Sequence, residues 1–407
     1  MTIENILPNL LSDNSKGLKR SEIREILKLV NQPGVISLAG GLPFPGVFPV
    51  EEMKDVAQTV LSREGTQAMQ YGNTEGDPKL LDFIVKWMEE HEGAKGITSE
   101  NILVVSGSQQ ALDLVGRLFI NPGDRIIVGL PSYLGALQAF NSYRAKPIGV
   151  PLDDHGIRVD KVEEALQKAA ADGEQVKFIY VIPDFQNPAG VTLSKERRLR
   201  LLELAEQYKT VIVEDSPYRD LRFEGDHIPT ISTLDTKGIS FSLHTFSKIF
   251  APGTRLGWIV ANKTIMDKFV MAKQPADLCS APFTQAMVAE FCHRGMLIPH
   301  IEKIVDLYGK KRNVMLEALE KYMPKDAGIK WTRPEGGMFS WVTLPEKVDT
   351  VEIFPKAIEK KVAYVVGSAF HFDGSGKNTM RLNFSFPSEE QIDEGIKRLA
   401  DLFKEVL

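Results

Sequence analysis

The chain has 407 residues, 43% of them hydrophobic, and a formal net charge of −5. It is too long for one hydrophobic core, so two domains are expected, and it lacks the basic surplus of nucleic-acid-binding proteins. No apolar run approaches the roughly 18 residues that span a membrane, and the N-terminus has no signal-peptide pattern. The two cysteines and seven histidines form no zinc motif. These features predict a cytoplasmic protein with no metal, no nucleic-acid partner and no membrane partner.

Short apolar runs alternate with amphipathic stretches through the middle of the chain. This alternation predicts an α/β domain with a mostly parallel sheet flanked by helices. The predicted strands are Ile102–Val105, Arg125–Leu130, Lys177–Pro183, Thr210–Glu214, Ser240–Thr245 and Gly257–Ala261. The predicted helices between them include Gln110–Phe119, Lys195–Tyr208 and Thr264–Lys273. Ligands on such sheets bind at the carboxyl ends of the strands.

The last hundred residues have a different pattern, which predicts a smaller α+β domain. Its predicted elements are a long helix over Ile301–Tyr322, strands at Phe339–Thr343 and Met380–Phe386, and a closing helix over Glu389–Val406. The domains are therefore expected at 46–300 and 301–407. Residues 1–45 contain a predicted helix, Ser21–Val30, and a turn-rich segment. This N-terminal arm is expected to pack over the junction of the two domains.

Lys248 follows the predicted strand Ser240–Thr245 in an unusual context. Thr245 and Ser247 place two hydroxyls beside it, and Arg255 follows seven residues later. A lysine near apolar walls and cations loses proton affinity and becomes a nucleophilic amine. Hydroxyls and a guanidinium can bind a phosphate. An aldehyde cofactor that carries a phosphate requires such an amine beside a phosphate site. The alternative is that Lys248, like most lysines, is only a solvated surface charge.

Asp215 comes directly after the apolar run Val211–Val213 and Glu214. An aspartate at a strand end often only caps the following turn. A pyridine cofactor, however, needs a carboxylate at its ring nitrogen to keep the ring protonated and electron-withdrawing. Tyr218, three residues later, is placed to reach a ring hydroxyl or is simply a packed core aromatic.

Two further segments have both a structural and a functional interpretation. Asn187 lies in a Pro-Gly-containing turn, where it is either a turn residue or an amide donor to a cofactor oxygen or a substrate carboxylate. The segment Ile102–Ala111 predicts a strand, a tight turn and a helix. The free N–H groups at that helix start favour an anion, but a serine there is also an ordinary helix cap.

The order of these features along the chain resembles the class I and II aminotransferases of the aspartate aminotransferase fold. The resemblance covers nearly the whole chain and is closest to the α-aminoadipate, kynurenine and aromatic aminotransferases. The segments that carry it are AGGLP, QYGNTEG, SGSQQALDL, PSYLGA, FQNPAG, VEDSPY, TFSK, PGTRLG, PEGGMF and MRLNFS. It implies the fold type I architecture of pyridoxal phosphate enzymes, with a seven-stranded, mostly parallel sheet in the large domain.

The family's roles transfer to matching positions of this chain. Lys248 resembles the lysine that forms a Schiff base with pyridoxal 5'-phosphate and shuttles protons. Asp215 resembles the partner of the ring nitrogen, and Asn187 and Tyr218 resemble the donors to the ring oxygen. Tyr133 is similar to the aromatic residue that stacks on the ring. The phosphate site is implied at Ser108, Gln109, Thr245, Ser247 and Arg255.

The substrate side and the subunit interface are implied in the same way. Arg381 resembles the clamp for the substrate α-carboxylate, assisted by Asn187, and Gly41 stands where the backbone approaches the substrate. Tyr71 is similar to a tyrosine that reaches the phosphate of the neighbouring subunit, which implies a homodimer. Two departures are small: Thr245 stands where serine is common, and Ser216 follows Asp215 where a second aspartate is frequent.

The implied reaction is ping-pong transamination from an L-amino acid to a 2-oxo acid such as 2-oxoglutarate. Two alternatives remain open: another reaction on the same fold, such as that of a β-lyase or decarboxylase, and a non-enzymatic pyridoxal-phosphate-binding sensor. A sensor would be expected to carry a DNA-binding module, and only about twenty residues precede the first family-like helix.

Arg24 in the predicted helix Ser21–Val30 is the candidate residue for substrate specificity. Ile23, Ile26 and Leu27 belong to an apolar stripe, and Arg24 lies at its edge, where it is typical of a surface arginine. In aminoadipate-type relatives the matching arginine meets the distal carboxylate of acidic substrates. The resemblance therefore implies that 2-aminoadipate is accepted along with aromatic and large aliphatic amino acids.

Overall fold

The computed structural model describes residues 2–16 and 33–407. Arg24 and the predicted helix Ser21–Val30 therefore lie outside the described residues. Among the residues described, no helix combines the length and the apolar character needed to cross a bilayer. The α-helices are Ile3–Leu10, Asp13–Lys16, Val50–Ala68, Pro78–Glu90, Ser108–Phe119, Leu134–Ser142, Val159–Ala171, Lys195–Gln207, Ile231–Leu234, Lys263–Asp277, Pro282–His293, Leu297–Tyr322, Thr350–Glu359 and Glu389–Val406.

The strands form one large and two small sheets in the described part of the chain. They are β1 Ile36–Ser37, β2 Ile102–Val105, β3 Arg125–Leu130, β4 Lys146–Asp153, β5 Gly156–Ile157, β6 Val176–Val181, β7 Val211–Asp215, β8 Ser240–Thr245, β9 Gly257–Val260, β10 Lys330–Trp331, β11 Phe339–Thr343, β12 Val362–Ala363, β13 Val365–Val366 and β14 Thr379–Asn383.

The large sheet has the order β2-β9-β8-β7-β6-β3-β4-β5. Strands β8, β7, β6, β3 and β4 run parallel, whereas β9 is antiparallel to both of its neighbours. The predicted α/β fold with a mostly parallel sheet is confirmed. An eighth strand, the two-residue β5, adds to the expected seven by pairing antiparallel with the end of β4.

The six strands predicted from hydrophobic runs are all present, with ends shifted by at most two residues. They are buried almost throughout, because helices cover both faces of a parallel sheet. Strand β4 was not predicted, since Pro147 and Pro151 interrupt its apolar pattern. The two prolines are tolerated because β4 lies near the edge of the sheet, beside the short β5.

The C-terminal region contains a four-stranded antiparallel sheet with the order β10-β11-β14-β13. Strand β14 ends at Asn383 rather than at Phe386, because the Asn383 side chain accepts a hydrogen bond from the Phe386 N–H at 3.0 Å and closes a turn. The long helix begins at Leu297, four residues before the predicted start. Pro299 lies in its first turn, where a missing N–H is tolerated.

The N-terminal segment joins this second sheet region. Strand β1 pairs in parallel with β12, and the Leu38 carbonyl accepts a hydrogen bond from the Asn383 N–H at 2.8 Å. Residues 39–41, which follow, are thereby brought beside β14 and face the carboxyl end of the large sheet. The candidate site is formed at this junction, and the domain boundary near residue 300 stays a prediction.

Candidate active site

Lys248 lies in the turn after β8, at the carboxyl end of the strand. Its Nζ donates a hydrogen bond to the Gly41 carbonyl oxygen at 3.1 Å, and it contacts no carboxylate of the described residues. Burial lowers the pKa of Lys248 to about 8, and the charges of Arg381 and Arg255 act in the same direction. A larger fraction of the amine is therefore neutral and nucleophilic near neutral pH than for an ordinary lysine.

Asp215 is the last residue of β7, and its side chain is 2% exposed. One carboxylate oxygen, Oδ2, accepts a hydrogen bond from the Tyr180 hydroxyl at 2.7 Å. The other, Oδ1, is buried without a hydrogen-bond partner among the described residues. Burial raises the pKa of Asp215 to about 7, against the opposing effect of the Tyr180 hydrogen bond. A buried, half-satisfied carboxylate of this kind is suited to accept a proton-bearing nitrogen.

Tyr180 is a site residue that the sequence analysis missed. It lies inside the apolar strand β6, where an aromatic residue looks like ordinary core. Its hydroxyl group could have indicated a role in the site, since a buried tyrosine usually has a hydrogen-bond partner. Its partner could be identified only once β6 was known to neighbour β7.

Asn187, Tyr218 and Arg381 form a buried chain of hydrogen bonds. The Asn187 side-chain amide donates to the Tyr218 hydroxyl oxygen at 3.0 Å, and its carbonyl oxygen accepts from Arg381 Nη1 at 2.9 Å. Burial raises the pKa of Tyr218, so this phenol stays neutral. These hydrogen bonds join three segments that are far apart in sequence at one edge of the large sheet.

Arg381 has no carboxylate partner among the residues described. Its Nη2 donates to the Ala39 carbonyl at 2.9 Å, and the guanidinium lies 4.2 Å from the Phe339 ring centroid. Burial lowers the pKa of Arg381 to about 10, which leaves it charged. A Cβ on Gly41 would lie 3.4 Å from the Phe339 ring and 3.7 Å from Arg381 Nη2, so a side chain there would occupy the space in contact with the guanidinium. The result is a buried cation available to an anionic ligand.

A cradle for an anion lies between the turn after β8 and the start of helix Ser108–Phe119. Thr245 Oγ1 donates to Ser247 Oγ at 2.9 Å, and Arg255 Nη2 lies 3.4 Å from the Ser106 carbonyl oxygen. Gly107 precedes the helix with φ 77°, and a Cβ there would lie 2.7 Å from Arg255 Nη2. The positive φ favours glycine at this position, and a Cβ there would shift the Arg255 guanidinium. The N–H groups at the helix start lie next to this space.

The remaining predicted residues differ in how closely they join the site. Tyr133 is half-buried, and the charges of Asp215, Arg381 and Arg255 act on its phenol. Ser108 begins the helix beside the cradle, whereas the Gln109 amide donates to the Gly135 carbonyl at 3.2 Å. Tyr71 is 80% exposed and lies on the surface of the chain.

These groups match one class of cofactor, a pyridine ring that carries an aldehyde and a phosphate. Lys248 offers a nucleophilic amine, and the unpartnered Oδ1 of Asp215 offers a buried acceptor for a ring N–H. Thr245, Ser247 and Arg255 surround the anion cradle. The fold and the site together define a fold type I enzyme that uses pyridoxal 5'-phosphate.

Comparison with known proteins shows the family. The chain belongs to the aminotransferase class I and II family, whose model matches residues 34–399. It is 51% identical to aromatic-amino-acid aminotransferase 1 of Thermococcus litoralis over 97% of this chain and 94% of that protein. The chain is thus a pyridoxal-phosphate-dependent transaminase of the aromatic, aminoadipate and kynurenine branch.

Two solved structures match over the full length of the fold. The kynurenine aminotransferase of Pyrococcus horikoshii, in complex with PMP, KYN and KYA, has a TM-score of 0.95 at 46% identity and covers 100% of both chains. The α-aminoadipate aminotransferase of Thermus thermophilus, complexed with N-(5'-phosphopyridoxyl)-L-leucine, has a TM-score of 0.89 at 36% identity and covers 98% of both chains.

Proposed function

We propose that this transaminase moves the amino group of an L-amino acid to a 2-oxo acid such as 2-oxoglutarate by a ping-pong mechanism. The observation that carries the proposal is the Lys248 amine, which is held at a strand end with a lowered pKa and no carboxylate partner in the described part of the chain. Such an amine is free to bind the cofactor covalently and to act again as a base.

Each of the following site residues has a proposed role toward the cofactor. Bound pyridoxal phosphate supplies a carbonyl carbon that takes up the amino group and a ring that withdraws electrons from the substrate α-carbon. Asp215 holds the proton of the ring nitrogen through its unpartnered oxygen. Lys248 moves a proton between the substrate α-carbon and the cofactor carbon. Asn187 and Tyr218 donate hydrogen bonds to the ring oxygen, and Tyr133 stacks on the ring.

The anion cradle is proposed to hold the cofactor phosphate. Its proposed ligands are Ser108, Gln109, Thr245, Ser247 and Arg255. The Gln109 side-chain amide donates one of its two N–H groups to the Gly135 carbonyl at 3.2 Å, which leaves the other N–H for the phosphate. Arg255 has φ 50°, in the left-handed region that non-glycine residues adopt less often.

Arg381 is proposed to bind the α-carboxylate that all amino acids and 2-oxo acids share. Its guanidinium is buried, its pKa leaves it charged, and Asn187 orients it from one side. Gly41 leaves room for the substrate beside it. Because the α-carboxylate is common to both half-reactions, one arginine serves donor and acceptor alike.

For the donor we propose broad specificity, with 2-aminoadipate, aromatic and large aliphatic amino acids accepted. The T. litoralis and T. thermophilus relatives are named for aromatic amino acids and α-aminoadipate respectively. Arg24, which lies outside the described residues, is proposed to meet the distal carboxylate of acidic substrates. Arg24→Ala should lower kcat/KM for 2-aminoadipate and glutamate while sparing phenylalanine and leucine, and a uniform loss would contradict this role.

A cytoplasmic homodimer with shared active sites is proposed as the working assembly. The support is the exposure of Tyr71 and Met69, at 80% and 73%, on one surface loop that follows helix Val50–Ala68. Tyr71 would reach the phosphate site of the partner subunit. Mixed dimers of Lys248→Ala and Tyr71→Ala chains test this directly, because one of their two sites would regain both residues and hence activity.

The reaction itself is tested by incubating the holoenzyme with a panel of amino acids and 2-oxoglutarate while following both products. Equal amounts of glutamate and of the new 2-oxo acid are expected. Loss of the donor without formation of glutamate would instead indicate a β-lyase or decarboxylase.

A further inference from the structure

Tyr180 is buried in strand β6 and makes one polar side-chain contact within the described part of the chain. The residue is 1% exposed, and its ring packs edge-on against Phe140 with the ring centroids 5.4 Å apart. Its hydroxyl donates to Asp215 Oδ2 at 2.7 Å. Because a buried hydroxyl without a partner is costly, this contact is what makes a buried tyrosine acceptable in this strand.

The sheet register explains why the two side chains meet. Strands β6 and β7 are parallel neighbours, and Tyr180 pairs with Val213. Side chains of paired residues point to the same face, and so do residues two apart on one strand. Tyr180 and Asp215 are therefore diagonal neighbours on one face, and the long phenol spans the offset.

The hydrogen bond uses one carboxylate oxygen and leaves the other for a ligand. A carboxylate can rotate about its Cβ–Cγ bond, which exchanges its two oxygens. Tyr180 opposes this rotation by holding Oδ2, while Oδ1 stays buried without a partner among the described residues. We propose that Tyr180 is a positioning residue that aims Oδ1 of Asp215 at the ring nitrogen of the cofactor and favours the ionised form of the carboxylate. This inference rests on the proposed role of Asp215.

The surrounding charges make this hydrogen bond important. Burial raises the pKa of Asp215, and the Tyr180 donation opposes that rise. The other titratable groups that interact with Asp215 are the phenols of Tyr133 and Tyr218, whose own pKa values burial raises, so both stay neutral. The cations of the site are Lys248, Arg255 and Arg381. Since none of the described cations forms an ion pair with Asp215, the Tyr180 donor is what favours its charged form.

A second buried tyrosine provides a matched control. The Tyr364 hydroxyl donates at the same 2.7 Å distance, but to the backbone carbonyl of Thr350 in the C-terminal region. Tyr364 is 0% exposed. Tyr180→Phe and Tyr364→Phe each remove one buried donor, so a merely structural role predicts a similar loss of stability and no change at the cofactor for either variant.

The test is the protonation of the ring nitrogen in holoenzyme reconstituted with pyridoxal phosphate labelled with ¹⁵N in the ring. The ¹⁵N chemical shift separates a protonated from an unprotonated nitrogen. Wild type and Tyr364→Phe should both show a protonated nitrogen. In Tyr180→Phe the ratio of protonated to unprotonated nitrogen should fall by about tenfold or more, the usual worth of a hydrogen bond to a charged group.

Asp215→Asn separates the two levels of the proposal. If it loses the ring proton while Tyr180→Phe keeps the wild-type chemical shift, the positioning role of Tyr180 is wrong and that of Asp215 stands. If Asp215→Asn also keeps the wild-type shift, the proposed role of Asp215 is wrong as well. A fall in kcat without a matching rise in KM for Tyr180→Phe would support positioning, because structural damage would alter substrate binding too.

Discussion

Two aspartates near the carboxyl ends of neighbouring strands have opposite electrostatics. Asp184 follows β6 and Asp215 ends β7, and their exposed fractions are 1% and 2%. Burial alone would raise the pKa of both. Arg198 at 2.7 Å and Arg219 at 3.5 Å outweigh that effect and lower the pKa of Asp184. Asp215 meets only a neutral phenol among the described residues, so its pKa rises to about 7.

Lys273, which is buried, and Lys248, which is partly buried, show the same contrast. Lys273 pairs with Asp277 at 2.5 Å, whereas Lys248 donates only to the Gly41 carbonyl within the described ranges. A paired buried charge is satisfied within the fold, while an unpaired one lowers stability and remains available to a ligand. The difference separates residues that hold the large domain together from residues that are prepared to bind a cofactor.

The sharpest way to test this contrast is to remove each lysine. Lys248→Ala should lower kcat by about 10⁴-fold, since it removes both the covalent attachment and the proton carrier. Lys273→Met, the control, should keep the visible absorbance of the bound cofactor. Borohydride reduction and peptide mapping of the wild type should place the pyridoxyl group on Lys248. A label on another lysine would contradict the assignment.

Neutralising each aspartate should affect different properties. Asp184→Asn leaves the buried Arg198 without a carboxylate partner among the described residues and removes one of the two carboxylates that pair with Arg219. It should lower the free energy of unfolding by about 3–5 kcal/mol. Asp215→Asn removes an unpaired charge, so the apoprotein should keep or gain stability while the proton-transfer step slows. Chemical denaturation and single-turnover kinetics measure the two effects. Equal destabilisation by both variants would show that Asp215 is structural.

The two arginines of the site should separate by the anion that each binds. Arg381→Ala should raise KM for every amino and 2-oxo acid, with a loss of about 2–5 kcal/mol for a truncated charge-assisted contact. Arg255→Ala should instead weaken cofactor retention, measured by dialysis and by titration of the apoenzyme with pyridoxal phosphate. If both variants lost the same function, the assignment of separate phosphate and carboxylate sites would be wrong.

The smallest predicted effect concerns the pH dependence of apoprotein stability. The pKa of Lys248 is about 8 in the folded chain and about 10.4 in an unfolded chain, so between these values the unfolded state binds more protons. The lysine therefore destabilises the apoprotein by about 3 kcal/mol below pH 8, and this cost fades as the pH rises.

Replacing Lys248 tests this linkage directly. Lys248→Met should make the apoprotein more stable than wild type at neutral pH, and the two should converge as the pH approaches about 10. Denaturation at several pH values measures the difference. A difference that did not change with pH would mean that Lys248 is not deprotonated more easily in the folded chain.

The sequence by itself determined the elements and residues whose position in the fold depends only on adjacent residues. Asp215 and Thr245 end their strands, and Ser247 and Lys248 come just after one. A side chain's place at a strand end depends only on its immediate neighbours in the sequence. The motif segments predicted the family for the same reason, since each is a short contiguous stretch. Helix starts were predicted less closely: Gly107 with its positive φ precedes a helix that begins at Ser108, two residues before the predicted Gln110.

Only the tertiary structure decided which distant segments meet. Arg381 reaches Asn187 across 194 residues, and Tyr180 reaches Asp215 because β6 lies beside β7. Strand order follows from how each crossover packs its helix against the sheet. Hydrophobic periodicity predicts which residues of a strand are buried, but not which other strand lies beside it. The same limit concealed the contrast between Asp184 and Asp215, since the charge that faces a buried carboxylate comes from another part of the chain.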